Sequence, residues 1–178
     1  MKLKFLVVSF AVLLSACSTF SSKKDEPKVN TEFMGGNIKV SYNFSGDLDS
    51  LTSSGVAKVT STLPSAADEA YLVATLQARK QIVEFMKVEV ENSSFVNAVS
   101  KTLQDSENDS GRTVNTNVTA KIASEVQDNI RQNSKALLKG TYVDSKSYDP
   151  STHTVKVVVK TSLRDLDTSK QLSRLMGN

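Results

Sequence analysis

Hydrophobic and polar positions along this chain fall into a small number of periods. Phe5 through Leu14 is an apolar run interrupted only by Ser9, with Lys2 and Lys4 ahead of it and Ser15, Ala16 and Cys17 behind. From residue 18 to about residue 36 apolar positions thin out among Ser, Lys, Asp, Glu and Pro, and Gly35-Gly36 closes the stretch. So little apolar surface does not offset the entropy of ordering, and a disordered tether is expected there. Alternation begins next: Ile38, Val40, Tyr42 and Phe44 against Lys39, Ser41, Asn43 and Ser45, the period of a strand with one buried face. Gly46-Asp47 ends it, and a weaker strand is expected near residues 54–61 through Val56 and Val59.

The period then lengthens. Ala67, Tyr71, Ala74, Ala78, Ile82 and Phe85 recur at helical spacing behind Pro64-Ser65, where Ser65 and Asp68 suggest an acidic capping box. Asn92-Ser93-Ser94 interrupts this helix, and Phe95, Val99 and Leu103 recover the spacing before a polar loop at residues 105–113. A second helix is expected over residues 114–138, with Val118, Ile122, Val126, Ile130 and Leu137 inward and Gly140 as a left-handed cap. Two strands follow, residues 141–148 and 154–162, joined by Asp149-Pro150-Ser151-Thr152. Val155, Val157 and Val159 line one face of the second. Ser162 and Asp165 then suggest a terminal helix through Leu166, Leu172 and Leu175. The order predicts an α+β fold, a small antiparallel sheet packed against a long helical hairpin with a short C-terminal helix. Three parts result: a signal segment 1–16, a tether 17–36 and one domain 37–178.

Composition narrows the chemistry. With 178 residues, 39% hydrophobic, the chain can bury a core without disulfides or a structural metal. One Cys and one His exclude a Cys/His zinc site and any machine built on several histidines. The formal charge of +3 falls to 20 basic against 19 acidic groups once Lys2 and Lys4 are set aside, which argues against nucleic acid as a partner.

The run over residues 5–14 is far short of the roughly 20 residues that span a bilayer, so a cleaved signal is expected in place of a transmembrane anchor. Its end, Leu14-Ser15-Ala16-Cys17, resembles the lipobox of bacterial lipoproteins. That resemblance implies that the Cys17 thiol becomes a diacylglyceryl thioether, that the chain is cut before it, and that the new amine is acylated. Small side chains at 15 and 16 suit approach of a peptidase to the backbone. Each buried CH₂ adds about 0.8 kcal/mol, so two or three acyl chains anchor the protein stably. Ser18, in place of Asp, implies sorting to the outer membrane by the enterobacterial pattern. Lys23-Lys24 is cancelled as a lipid contact by Asp25-Glu26.

Catalytic candidates are few. His153 sits beside a turn with only Ser and Thr near it in sequence, and Asp68/Glu69 and Asp165/Asp167 read as first-turn charges of helices. No phosphate-binding loop, nucleophile elbow, zinc-protease or calcium-loop pattern occurs, so no enzyme and no cofactor are expected. The run Gln127-Asp128-Asn129-Arg131-Gln132-Asn133-Ser134 reads as a solvated helix face that could instead bridge proteins, and Lys156 and Lys160 as guards of a sheet edge. Ala70, Ala74, Ala78, Arg79 and Ile82, with the later strand VKVVVK, resemble the Lpp-twenty and FlgP-like family of small bacterial lipoproteins over about residues 55–162. The resemblance implies an outer-membrane lipoprotein of an envelope or flagellar assembly, with no catalytic residues to carry over and Arg79 pairing with Glu84 or a backbone carbonyl. The expected role is structural, through self-association or an envelope protein; the alternative is a periplasmic carrier of an apolar ligand held between helices and sheet.

Overall fold

A computed structural model describes residues 27–111 and 115–163. It is an α+β fold: five antiparallel strands, β1 (Lys28–Phe33), β2 (Ile38–Asn43), β3 (Leu48–Lys58), β4 (Tyr142–Asp149) and β5 (Thr154–Thr161), in the order β1-β2-β3-β5-β4. Three helices, α1 (Pro64–Val88), α2 (Ser93–Asp109) and α3 (Thr116–Lys139), connect β3 to β4 and all lie on one face of the sheet. Both edges belong to hairpins, β1 on one side and β4 on the other.

The domain starts earlier than residue 37. Residues 28–33 form β1, registered Val29↔Tyr42, Thr31↔Val40 and Phe33↔Ile38, with Val29, Thr31 and Phe33 buried and Lys28, Asn30 and Glu32 exposed. A 3-10 turn, Met34–Gly36, joins it to β2. Three buried side chains on a six-residue strand suffice because Phe33 stacks on Phe95 at 5.1 Å and tilts against Phe85 at 5.1 Å. The expected tether is thus ordered from Lys28; residues 17–26 lie outside the described part.

β3 is also longer than its pattern suggests, because its inner face near the centre is Ser53 and Gly55, which show no apolar alternation. Those small residues are what α1 requires. A Cβ on Gly55 would overlap the Ala74 carbonyl oxygen and stand 2.9 Å from the Ala78 nitrogen. Helix backbone therefore lies directly on strand backbone, and Gln81 and Gln77 meet β3 through the Ser53 hydroxyl and the Val56 N–H.

The helices are not a simple hairpin. Val88 ends α1, and the Asn92 side chain caps a separate α2 by accepting from the Ser94 N–H at 3.2 Å. α2 continues to Asp109 through the stretch expected as loop, with Phe95, Val99 and Leu103 buried. α3 returns against α2 with Val126, Ile130 and Leu137 buried; Val118, expected inside, is exposed, and Thr119, Ala123 and Gln127 take the inner positions. Two cap expectations fail. Pro64 opens α1 with Leu63 as its cap residue, so Ser65 lies inside the helix and makes no capping bond. Gly140 ends α3 at φ −84°, a right-handed conformation, with its N–H on the Ala136 oxygen. The expected helix through Asp165, Leu166, Leu172 and Leu175 lies outside the described residues.

Candidate functional site

The residues of the expected lipobox, Leu14, Ser15 and Ala16, and Cys17 with them, lie outside the described residues, as do Asp165 and Asp167. Of the positions that carry the expected family resemblance, four lie along one buried row of α1. Ala70, Ala74, Ala78 and Ile82 are fully or almost fully buried against the sheet, and their small size permits the close approach at Gly55. Arg79 points off that face and donates to the Thr141 carbonyl at 3.5 Å, the backbone partner expected for it; Glu84 pairs instead with Lys80 at 3.4 Å.

The other candidates resolve into braces and turn chemistry. Gln127 is buried and donates to the Val90 carbonyl at 2.7 Å, while Asn129 donates to the Gly46 carbonyl at 2.9 Å. Arg131 reaches Glu91 at 3.2 Å. Part of the amide-rich run, expected as a solvated face, therefore ties α3 to the α1–α2 connection and to the β2–β3 turn of the same chain, while Asp128 and Gln132 stay exposed. Lys156 and Lys160 sit on β5, which lies between β3 and β4, so they guard no edge. Asp68 and Glu69 stand beyond the first turn of α1, since the helix begins at Pro64.

His153 occupies the β4–β5 turn with φ 51°, exposed, its Nδ1 3.1 Å from the Tyr148 hydroxyl. In the same turn Asp149 accepts from the Ser151 hydroxyl at 2.6 Å, the Ser151 N–H at 2.8 Å and the Thr152 hydroxyl at 2.8 Å. Bonds from Ser151 and Thr152 favour the carboxylate and lower its pKa to about 2. That network is a turn lock with its carboxylate already satisfied. Among the described residues no group of three or more His, Cys, Asp or Glu stands together as a metal site.

What the sequence pattern did not single out is a second apolar stripe on α1. Leu72, Leu76, Val83 and Met86, spaced by 4, 7 and 3 residues, lie about 140° around the helix from the sheet-facing row, and Val90 continues the stripe just past the end of α1. The C-terminal half of this stripe meets α3: Val83, Met86 and Val90 with Ile130 and Leu138 line a groove of about 350 Å³, flanked by Lys87, Glu91, Arg131 and Ser134. Among the described residues the N-terminal half has no such cover, because α3 ends at Lys139. Leu72 is 60% exposed, Val73 50% and Leu76 56%. Three large apolar side chains on adjacent turns of one helix form a patch of the kind that marks a contact surface. The signal was present in the sequence as apolar residues off the buried face.

No helix among the described residues is long and apolar enough to cross a membrane. No known protein family, characterised protein or solved structure matches the chain.

Proposed function

We propose that this protein is a bacterial lipoprotein, anchored in the outer membrane through Cys17, whose α+β domain has a non-catalytic, structural role in an envelope assembly. Anchoring is supported by Leu14-Ser15-Ala16-Cys17 closing the apolar run behind Lys2 and Lys4. The single observation that carries the assembly role is the exposed row Leu72, Val73 and Leu76 on a helix otherwise locked to the sheet. The flagellum is the assembly to which the family-like helix, Ala70 to Ile82, directs the proposal.

Anchoring is tested by Cys17→Ala: palmitate labelling and membrane retention are both lost. Unchanged membrane association would overturn the lipobox reading. The assembly role is tested by envelope pull-down and flagellar or envelope phenotypes of a Leu72→Asp/Leu76→Asp variant that remains folded; wild-type behaviour on both counts argues against it.

A carrier is the second reading, and the groove of about 350 Å³ between α1 and α3 favours it, being large enough for a small apolar ligand. The space between helices and sheet, where such a ligand was first expected, is filled by Phe33, Phe85, Phe95, Ile82 and the β5 valines. Native mass spectrometry of protein purified from its host separates the two readings: co-purifying lipid supports the carrier, and empty protein removes it.

A further inference from the structure

We propose that the exposed end of the second stripe on α1 is a two-fold interface between two copies of this chain, in which the α1 helices pack antiparallel. This deepens the assembly reading by naming the partner, and it rests on the geometry of a single helix face.

At 100° per residue, Glu69, Leu72, Val73, Leu76 and Lys80 fall within about 100° of one another around α1. The apolar residues are central, the acid lies one turn toward the N-terminus and the base one turn toward the C-terminus. A two-fold axis crossing the helix between Ala74 and Thr75 maps position 69 onto 80, 72 onto 77 and 73 onto 76. Each Glu69 then faces Lys80 of the second copy and Val73 faces Leu76, with Leu72 at one margin of the face. Further along, Glu84 falls level with Ser65, so no like charges meet. Such a face is self-complementary, the requirement for an isologous contact. Parallel packing would place Glu69 on Glu69 and Lys80 on Lys80, a like-charge arrangement that costs association energy.

The surface is available for this. Lys80 has its side chain 75% exposed and only an exposed i,i+4 contact with Glu84, which contributes little and yields readily. The contact would run over residues 65–84, about 30 Å of helix. Its apolar centre is short, so the dimer is expected to be weak for free chains and to be reinforced where both copies are held in one membrane.

The test uses the full-length protein purified in mild detergent, followed by sedimentation over a range of concentrations. A monomer–dimer equilibrium is expected. Leu76→Asp should weaken it by about tenfold or more, with an unchanged unfolding midpoint, because position 76 is on the outside. Glu69→Lys and Lys80→Glu should each weaken it, and the double variant should restore it. Orientation is read by mixing copies carrying Glu69→Cys with copies carrying Lys80→Cys: mixed disulfides should exceed both symmetric products, with the parent chain reporting any background from Cys17. The proposal is overturned by a monomer at all concentrations, by a dimer indifferent to Leu76→Asp, by failure of the double charge reversal to rescue, or by preferential Glu69→Cys self-pairing. A monomer that is destabilised by Leu76→Asp would instead assign the face to residues 164–178 of the same chain. The equilibrium does not depend on acylation, so a Cys17→Ala chain should dimerise equally, and failure of the anchor and failure of the interface are read separately.

Discussion

Tyr42 shows how a single side chain joins the sheet to the helices. It is fully buried, its hydroxyl lies 2.6 Å from the Thr31 hydroxyl on β1, and it donates to the Val99 carbonyl of α2 at 3.5 Å. Tyr42→Phe leaves the Thr31 hydroxyl with a lost partner and should cost about 1 kcal/mol near neutral pH. The same burial excludes the phenolate and raises the Tyr42 pKa to about 12. In the unfolded chain the group ionises near its ordinary value of about 10. The folded pKa is the higher one, so the stability tied to the neutral phenol is complete below pH 10 and is lost as pH rises toward 12. The loss approaches about 2–3 kcal/mol over that interval. Denaturant midpoints of the wild type should therefore exceed those of Tyr42→Phe below pH 10 and fall beneath them by about pH 12. Parallel profiles across this range would show that the hydroxyl is not sequestered.

Among the elements, those with a clean period were legible from the chain alone: β2, the sheet-facing row of α1, the N-terminal part of α2 through Leu103, and β5 with its three inward valines. Elements whose inner face is polar or small were not. β1 carries one threonine among its three buried residues, β3 presents Ser53 and Gly55 to α1, and α3 buries Thr119 and Gln127. Each of these depends on a partner far along the chain: Tyr42 for Thr31, the α1 backbone for Gly55, the Val90 carbonyl for Gln127. A buried polar group is stable only when that partner is present, and local periodicity carries no information about it. The candidate site divides in the same way. The proposed lipobox, Leu14 to Cys17, is a purely local pattern, whereas the Leu72–Leu76 row acquires meaning only once α3 is seen to end short of it. β1 is the sharpest check on this division. Phe33→Ala removes the ring stacked between Phe85 and Phe95 and should cost about 3 kcal/mol in urea unfolding, while a residue in a solvated tether would cost nothing measurable. An unchanged midpoint would return residues 28–33 to the tether.

At the scale of the whole molecule, the early start of the domain shortens its leash. Eleven residue steps separate Cys17 from Lys28, so even fully extended they span no more than about 40 Å. If Cys17 carries the proposed anchor, a domain held that close to the bilayer meets other copies by lateral diffusion, and confinement in a thin layer raises their effective concentration. On the proposed reading, the lipid anchor and the α1 face act together: one supplies the concentration that the other, with its small apolar centre, requires. Coexpression gives this a direct outcome. Copies exported behind a conventional cleavable signal, with no cysteine at position 17, should be released when made alone and partly retained at the membrane when made with the wild type. Leu76→Asp on the unanchored copy should abolish that retention, and Glu69→Lys should reduce it unless the anchored copy carries Lys80→Glu, which restores one of the two salt contacts. Retention indifferent to position 76 would place the tie between copies elsewhere on the domain. Full release in the presence of wild type would mean that the exposed row on α1 serves a partner other than this chain.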